Sequence, residues 1–361
     1  MLKTQIVHAL GSHFDCNFAR LKCFALLISA VLAHRTVNLT ILSTTADGNQ
    51  CSNQSRYRRF QDFFLKFSLC FDSVARSILE RIPRPSEGYT LAMDRTNWQF
   101  GRKDINFLTI GIVVGNVSIP IVWKVLPTKT KSGNSNAKQR MQLMNKLLQL
   151  IAADEIYVLT MDREFHGKEW LKWLDKRGVG FVLRIKNNTI VGSKLAKEHA
   201  ISRGTKPRGL QEVFGMQLYF ACKKMKANGR DTHLLVVSNR FQGKKVLDIY
   251  KRRWGIERLF GHLKKKGFDL EVTHMTSAPK LEKLFAVLCI AFTYSYAWGC
   301  YLRHHGIKRD AASNRKSLFR LGLEDILTLL EFSSSKAHRA KPVHPFIRWL
   351  KKDPFDEIFL V

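Results

Sequence analysis

The chain has 361 residues, of which 60 are Lys or Arg and 29 are Asp or Glu, and its net charge is +31. An ordinary metabolic enzyme needs no such excess. Because the positive charge runs through every segment, we expect a polyanion such as a nucleic-acid backbone to contact much of the molecule. Apolar residues make up 45% of the chain, which excludes a disordered basic protein and predicts two or three domains around a substantial core.

Seven cysteines are odd in number and have neither CxxC nor Cys/His zinc spacing, so they predict buried thiols in a reducing compartment. Two apolar stretches, 21–33 and 284–302, have the lengths of a signal-peptide core and a membrane span. Asp15 precedes the first, and the polar run Thr293–Tyr296 interrupts the second. Both are therefore predicted to be buried core helices, and no membrane association is expected.

Residues 1–82 predict a small all-α domain of three short helices, the last of them basic. This last helix carries Arg56, Arg58 and Arg59 beside two aromatic residues. Such a helix could face DNA phosphates while its aromatic side packs, as in helix-turn-helix proteins. An ordinary solvated helix has the same pattern, but the charge of the whole chain favours DNA contact.

A Pro- and Gly-containing linker is predicted at 83–88, and the periodicity changes after it. The following segments predict the order βββαβαβ, with strands at 89–93, 107–114, 118–125, 156–161 and 179–186. That order is typical of an α/β layer fold of the RNase H-like class.

The alternation of strands and helices stops at residue 187. From there to about residue 245 the chain has a basic, Gly-containing stretch and two β-like runs, which predict a β-rich insertion. Helical spacing then returns, so the predicted α/β domain spans 89–303. The last segment, 304–361, is basic and mixed in pattern, with one helix expected at 324–332.

Two carboxylates follow predicted strands. Asp94 ends the first β-run and Asp162 ends the fourth. An isolated Asp at such a position is more often a turn or cap residue. In the predicted fold, however, the ends of these two strands lie side by side, so the pair could share a hard divalent cation.

A third carboxylate lies in a segment predicted to be one helix from Val246 to Lys266. A helical projection places four polar side chains on an arc of about 60°: Tyr250, Arg253, Glu257 and Lys264. Apolar residues flank that arc on both sides: Leu247, Ile249, Trp254, Ile256 and Phe260. The polar stripe therefore points into a semi-buried place, where a carboxylate needs a cation. The alternative is a structural i,i+4 salt bridge.

The spacing Y-x2-R-x3-E-x6-K, with Asp-Arg-Thr-Asn-Trp at 94–98 and Asp-Arg-Glu-Phe at 162–165, resembles the signature of the YREK group of DDE transposases, the fourth insertion-sequence family. The resemblance covers nearly the whole chain and implies an RNase H-like, retroviral integrase-like core. It implies catalytic, metal-binding roles for Asp94, Asp162 and Glu257. It also implies phosphate contacts for a second set: Tyr250, Arg253 and Lys264.

What the resemblance implies for function is cut-and-paste transposition with two Mg2+ ions, for which Mn2+ can substitute. The steps are strand cleavage, a hairpin intermediate and strand transfer, and none requires a nucleotide cofactor. The expected partners are the terminal inverted repeats of the element, target DNA and a second subunit, with residues 304–361 helping to pair the subunits. The expected location is the bacterial cytoplasm, at the nucleoid.

One feature departs from the group, in which some members clamp a flipped base with a Trp in the insertion. Here no Trp lies between Trp173 and Trp254, so Phe214, Tyr219 or Phe220 would have to act.

Two other functions stay open: a non-catalytic, sequence-specific DNA-binding protein, and an RNase H-like nuclease without strand transfer. Three carboxylates beside a polyanion disfavour the DNA-binding protein, because without metal they repel DNA. The resemblance disfavours the nuclease.

Overall fold

The computed structural model describes residues 2–45, 51–127, 134–200, 207–227, 230–307, 315–334 and 344–351. Parts of the predicted C-terminal pairing segment, 308–314, 335–343 and 352–361, lie outside the described residues. The chain forms two compact units. The helical unit comprises Met1–Pro83, Trp98–Ile105 and Phe260–Val361, and the sheet unit comprises Arg84–Asn97 and Asn106–Leu259.

The sheet unit is built on a mixed sheet with the strand order β3-β2-β1-β4-β5-β10-β9-β8. Its first five strands are β1 (Tyr89–Phe100), β2 (Lys103–Val114), β3 (Val117–Val125), β4 (Ile156–Met161) and β5 (Phe181–Arg184). Strands β2 and β3 are antiparallel, whereas β1, β4 and β5 are parallel neighbours. This arrangement is consistent with an RNase H-like core.

Residues after β5 add antiparallel strands to the same sheet. These are β8 (Pro207–Val213), β9 (Met216–Ala227) and β10 (Arg230–Ser238), and β10 pairs with β5. A separate small ladder joins β6 (Ile190–Val191) to β7 (Lys194–Leu195), and the short helix α8 (Ala196–Ala200) follows it. The segment predicted as a β-rich insertion therefore continues the central sheet in this structure.

Helices cover the sheet because its central strands are apolar on both faces, as parallel strands require. In β4, five of the six residues are buried. The covering helices are α6 (Ala137–Leu148), α7 (Lys168–Lys176) and α9 (Lys244–Arg252). Helix α9 buries Val246, Leu247, Ile249 and Tyr250 against strand residues such as Val158 of β4. This packing fixes the start of the segment that carries the third predicted carboxylate.

The helical unit combines helices from both ends of the chain. Its helices are α1 (Leu2–Gly11), α2 (Phe18–His34), α3 (Leu39–Leu42), α4 (Asn53–Lys66), α5 (Phe71–Leu79), α11 (Ala278–His304), α12 (Leu318–Ser334) and α13 (Pro345–Lys351). The described part of residues 1–82 thus has five helices rather than the three expected. The units interleave along the chain, whereas the predicted domains are consecutive, because α11 packs on α2, α4 and α5.

Helix α11 is the core of the helical unit. Among the described residues, it alone is long and apolar enough to cross a membrane, but 89% of its most apolar window is buried inside the protein. Its few polar groups have partners there. Lys283 Nζ donates to the Phe64 carbonyl at 2.9 Å, and Trp298 Nε1 donates to Asp325 Oδ2 at 2.7 Å. The predicted core helix is confirmed.

Two glycines allow α11 and α12 to touch backbone to backbone. A Cβ added at Gly299 would lie 1.8 Å from the Leu318 carbonyl oxygen, and one at Gly322 would lie 1.9 Å from the Ser295 carbonyl oxygen. No side chain fits at such distances, so any larger residue must push the two helices apart. The dense packing of this core therefore depends on glycine at both positions.

We expect the substitution Gly322→Ala to lower the free energy of unfolding by about 1–3 kcal/mol, the usual cost of overpacking a core. Urea denaturation followed by circular dichroism measures this difference. The control is Gly11→Ala, because nothing lies within 4 Å of a Cβ at that position. Equal stability of the two variants would contradict the close helix contact.

Candidate active site

The register of two parallel strands brings the first two predicted carboxylates to one place. Met93 of β1 pairs with Met161 of β4, and both Met side chains are fully buried. Asp94 and Asp162 are the next residues, so they emerge side by side where this pairing ends. Strand β1 itself continues to Phe100, so Asp94 lies within a strand and not at its end as predicted.

The segment predicted as one helix is two helices. Helix α9 ends at Arg252 and α10 (Trp254–Leu263) begins after Arg253. The Arg253 N–H donates to the Tyr250 carbonyl at 3.1 Å, and the Ile256 N–H donates to the Arg253 carbonyl at 3.0 Å. These i→i+3 bonds tighten the chain at Arg253. The projection of a single helix to Lys266 is therefore wrong.

Gly255, the second residue of α10, makes a close backbone contact next to the break. A Cβ on Gly255 would lie 2.8 Å from the carbonyl carbon of Val117, so only glycine lets α10 approach the start of β3 this closely. The Trp254 side chain, predicted to flank the polar stripe, is 57% exposed instead. The glycine between two stripe residues, Arg253 and Glu257, was the sequence signal for such a break.

Arg253 joins two of the predicted carboxylates. Its side chain is only 5% exposed; Nη1 donates to Asp94 Oδ2 at 2.8 Å, and Nη2 donates to Glu257 Oε1. The predicted i,i+4 pair with Glu257 is thus present, yet the same guanidinium also holds a carboxylate from the sheet. It is a bridge inside the site rather than a surface pair along one helix.

Tyr250 connects the remaining carboxylate to this cluster. Its hydroxyl donates to Asp162 Oδ1 at 3.2 Å, and Arg184 Nη1 lies 3.9 Å from the same oxygen. Tyr250 and Arg253 also touch, with the guanidinium carbon 5.6 Å from the ring centroid. Five of the six residues predicted from the motif therefore form one connected group.

The electrostatics of this group are unusual for surface residues. Burial raises the pKa of Asp94 to about 6, although Arg253 and the Arg95 N–H act in the opposite direction. Burial also raises the pKa of Tyr250 to about 12, so its hydroxyl stays protonated as a donor. Burial would lower the pKa of Arg253, but Tyr250, Asp94, Asp162 and Glu257 outweigh burial and raise it. Arg253 therefore remains a cation.

The donor chemistry of the site fits a hard divalent cation. Asp94, Asp162 and Glu257 offer only carboxylate oxygens, which are the ligands that Mg2+ and Mn2+ prefer. Within the described ranges, no three His, Cys, Asp or Glu side chains stand close enough to form a preformed metal cluster. Arg253 supplies positive charge between two of the carboxylates, so this semi-buried place already favours a cation.

An ion pair between two residues of the motif segments, Arg95 and Glu164, holds the segment that follows Asp162. Arg95 Nε and Nη2 donate to the two carboxylate oxygens of Glu164 at 2.8 and 2.9 Å. This bidentate pair ties the residue after Asp94 to the turn after Asp162. The quoted motifs contain both residues, but their pairing could not be predicted, because it joins residues that are far apart in the chain.

Arg140 supports the same turn from the start of α6. Its side chain is buried, and its guanidinium donates to the carbonyls of Glu164 and His166, both at 3.0 Å. The guanidinium carbon also lies 5.1 Å from the Phe165 ring centroid. A buried cation that satisfies main-chain carbonyls around Asp162 is a positioning element for that carboxylate.

The other predicted DNA contacts belong to the helical unit. Lys264 Nζ lies 2.9 Å from Glu271 Oε1 and 5.8 Å from the ring centroid of Trp98. Arg56 is buried, and its guanidinium donates to the carbonyls of Ser43 and Cys51 at 2.7 and 2.5 Å. Two arginines of the predicted set are exposed: Arg58 and Arg59. Because the guanidinium of Arg56 is buried and bound to main-chain carbonyls, the predicted DNA contact now rests on Arg58 and Arg59.

The three aromatic candidates for a base clamp differ in accessibility. Phe220 is fully buried and cannot receive a base without unfolding its surroundings. Phe214 lies in the turn between β8 and β9 with a left-handed φ of 56°, and its ring centroid is 6.1 Å from that of His166. Tyr219 is half-buried in β9. Phe214, close to the turn after Asp162, is therefore the best placed of the three.

Comparison with known proteins adds an independent finding. The family described as Transposase DDE domain matches residues 82–294, which is more than half of the chain. The matched range includes all three carboxylates and the residues that contact them. Among curated proteins, the comparison finds no match.

We expect Arg140→Ala to lower the free energy of unfolding by about 2–3 kcal/mol, because it removes a buried guanidinium that donates to the carbonyls of Ser135, Glu164 and His166. Thermal and urea denaturation of the purified variant test this. The matched control is Lys138→Ala, which removes an exposed cation from the same helix. If both variants lose equal stability, Arg140 does not support the Asp162 turn.

Proposed function

The chain belongs to the DDE transposase family, and from that membership we propose that it is an insertion-sequence transposase of the YREK group. It would cut and join DNA at the terminal inverted repeats of its own element. The single observation that supports this best is the joining of Asp94 to Glu257 through Arg253, beside the contact of Tyr250 with Asp162. These are the residues that the motif assigns to catalysis and to the DNA end.

We propose Asp94, Asp162 and Glu257 as the ligands of two Mg2+ ions, with Mn2+ as a substitute. Bound ions would supply activation of an attacking water or 3′-hydroxyl and stabilisation of the leaving oxygen. The chain itself supplies the placement of these ligands. Two parallel strands present the aspartates side by side, and α10 presents Glu257 opposite Asp94, as their shared contact with Arg253 shows.

Arg253 and Tyr250 would have two tasks in this mechanism. Without metal, the guanidinium offsets the repulsion between Asp94 and Glu257, and the Tyr250 hydroxyl orients Asp162. When the carboxylates hold a metal cation instead, the guanidinium is available to a backbone phosphate at the DNA end. Arg is suited to this exchange because it stays charged and binds carboxylate and phosphate in the same fork geometry.

The proposed reaction has four stages. Hydrolysis frees a 3′-hydroxyl at the element end, and that hydroxyl attacks the opposite strand to form a hairpin. A second hydrolysis opens the hairpin, and the 3′-hydroxyls that it frees join target DNA. Each transfer exchanges one phosphodiester bond for another, so no nucleotide cofactor is needed. Lys264 and the exposed pair Arg58 and Arg59 would contact phosphates, and Phe214 would stack on a flipped base. Two subunits would hold the two element ends in one synaptic complex.

The test is a cleavage assay on a plasmid that carries the DNA flanking the reading frame, with Mg2+, with Mn2+ and with EDTA. Metal-dependent double-strand cuts at both ends, followed by joining to a second plasmid, are expected. Cutting without joining would support an RNase H-like nuclease. Binding without cutting under all conditions would support a non-catalytic DNA-binding protein.

We expect Glu257→Gln to abolish cleavage and to leave binding to the element ends intact or stronger. The amide is a poor metal ligand, and a negative charge that faces phosphate disappears. Gel-shift and cleavage assays on the same DNA separate the two effects. Asp248→Asn, which neutralises an exposed carboxylate of α9, is the matched control and should cut normally. Retained cleavage by the Glu257 variant would remove this residue from the metal site.

We expect Arg253→Gln to destabilise the protein in EDTA by about 3 kcal/mol, because it leaves facing carboxylates without their buried cation. Added Mn2+ should recover part of that loss, since the metal supplies the missing positive charge. Thermal denaturation in EDTA and in Mn2+ measures both values. Arg252→Gln, an exposed neighbour, should match the unsubstituted protein in both buffers. A loss that Mn2+ does not change would contradict a shared cation site.

A further inference from the structure

A cluster of positively charged residues lies in the helical unit, and none of them belongs to the candidate active site. A cleft of about 700 Å³ is lined by nine residues, of which six are Lys or Arg and none is Asp or Glu. We call it the basic cleft. Its cationic residues are Arg35, Lys265, Lys266, Arg315, Lys316 and Arg320.

Three segments hold these cations in place. One is the end of α2, where Arg35 adopts a left-handed φ of 55° and its N–H donates to the Val31 carbonyl. The second is the turn after α10, which carries Lys265 and Lys266. The third is the beginning of α12, where the Ser317 hydroxyl accepts a hydrogen bond from the backbone N–H of residue 320 at 3.3 Å.

Aromatic packing joins the second and third segments. The Phe319 ring centroid lies 4.5 Å from that of His262 and 5.5 Å from that of Phe268. The turn between those two residues is tight, because a Cβ on Gly267 would lie 2.2 Å from the His262 carbonyl oxygen. The backbone that carries the cations is therefore preorganised, while their long side chains can adapt to a ligand.

The charge of the basic cleft is only partly balanced within the protein. Glu324 binds Lys316 Nζ and Arg320 Nε, both at 2.7 Å. The other four cations are exposed and form no ion pair in the part of the chain that the structure describes: Arg35, Lys265, Lys266 and Arg315. Four unbalanced cations around one cleft repel each other, and a polyanion relieves that repulsion.

We propose that the basic cleft binds the phosphate backbone of duplex DNA without reading its sequence. The proposal rests on the proposed transposase function, which requires the protein to hold DNA beyond the short segment at the reacting bond. Lys and Arg on long, exposed side chains suit phosphate oxygens, and contacts to phosphates carry no sequence information. The positive end of the α12 dipole adds to the attraction.

The experiment compares DNA binding by the full chain and by the triple variant Lys265→Gln, Lys266→Gln and Arg315→Gln. Two duplexes of equal length serve as probes, one with the element end and one of unrelated sequence. Binding is measured by fluorescence anisotropy over a series of salt concentrations. If all three contacts are lost, the slope of log K against log salt falls by about 2.7, and affinity near 0.15 M salt falls on the order of a hundredfold.

The matched control removes three exposed lysines from the sheet unit: Lys138→Gln, Lys172→Gln and Lys176→Gln. Both triple variants lower the net charge by the same amount, so a general charge effect would move them equally. We expect the control to keep nearly the original slope on both duplexes. The charge-preserving variant Lys265→Arg with Lys266→Arg should also keep it, and circular dichroism establishes that each variant is folded.

Each outcome decides the proposal. A reduced slope on both duplexes in the cleft variant alone supports it. Equal slopes in the cleft variant and the control overturn it, and a loss confined to the element-end duplex overturns the claim of sequence independence. If the glutamine variant does not fold, the single variants Lys265→Gln and Lys266→Gln decide, each with an expected slope change of about 0.9. Metal-dependent cleavage by the unsubstituted protein tests the proposed function separately.

Discussion

The candidate site depends on the two ion pairs that the buried guanidinium of Arg253 forms. This guanidinium connects a carboxylate of the central sheet, Asp94, with a carboxylate of the helix that follows, Glu257. Without a cation there, two facing carboxylates in a half-buried place would repel each other and each would bear its own cost of desolvation. In the proposed function a divalent metal would meet the same need, because it too would place positive charge between these carboxylates.

The surrounding fold serves that position in several ways. Parallel pairing through Met93 and Met161 sets the two aspartates side by side. Arg140 and the Arg95–Glu164 pair hold the turn after Asp162. These contacts hold the turn in place because Arg95 and Arg140 belong to other parts of the chain than the turn itself.

A cluster of carboxylates within a chain of net charge +31 is compatible with a reaction on a polyanion such as DNA. Cations over the rest of the molecule attract and hold DNA, whereas the carboxylates would repel it unless a metal intervenes. The basic cleft extends this division to the helical unit, where Glu324 balances only two of six cations. Binding and chemistry would thus depend on different charges, and mutation can separate them.

The sequence alone predicted the order βββαβαβ, an α/β core, the buried helix α11 and the transposase family, because strand periodicity and motif spacing can be read from the residues themselves. It could not predict the break at Arg253, the exposure of Trp254 or the burial of Arg56. The sequence pattern does not show the contacts at these positions: Gly255 lies against the backbone of β3, and the guanidinium of Arg56 donates to the carbonyls of Ser43 and Cys51. The residues that would carry the chemistry are a prediction from the sequence motifs. Only the tertiary structure decided which side chains meet, because burial and charge pairing depend on segments that the chain brings together from far apart.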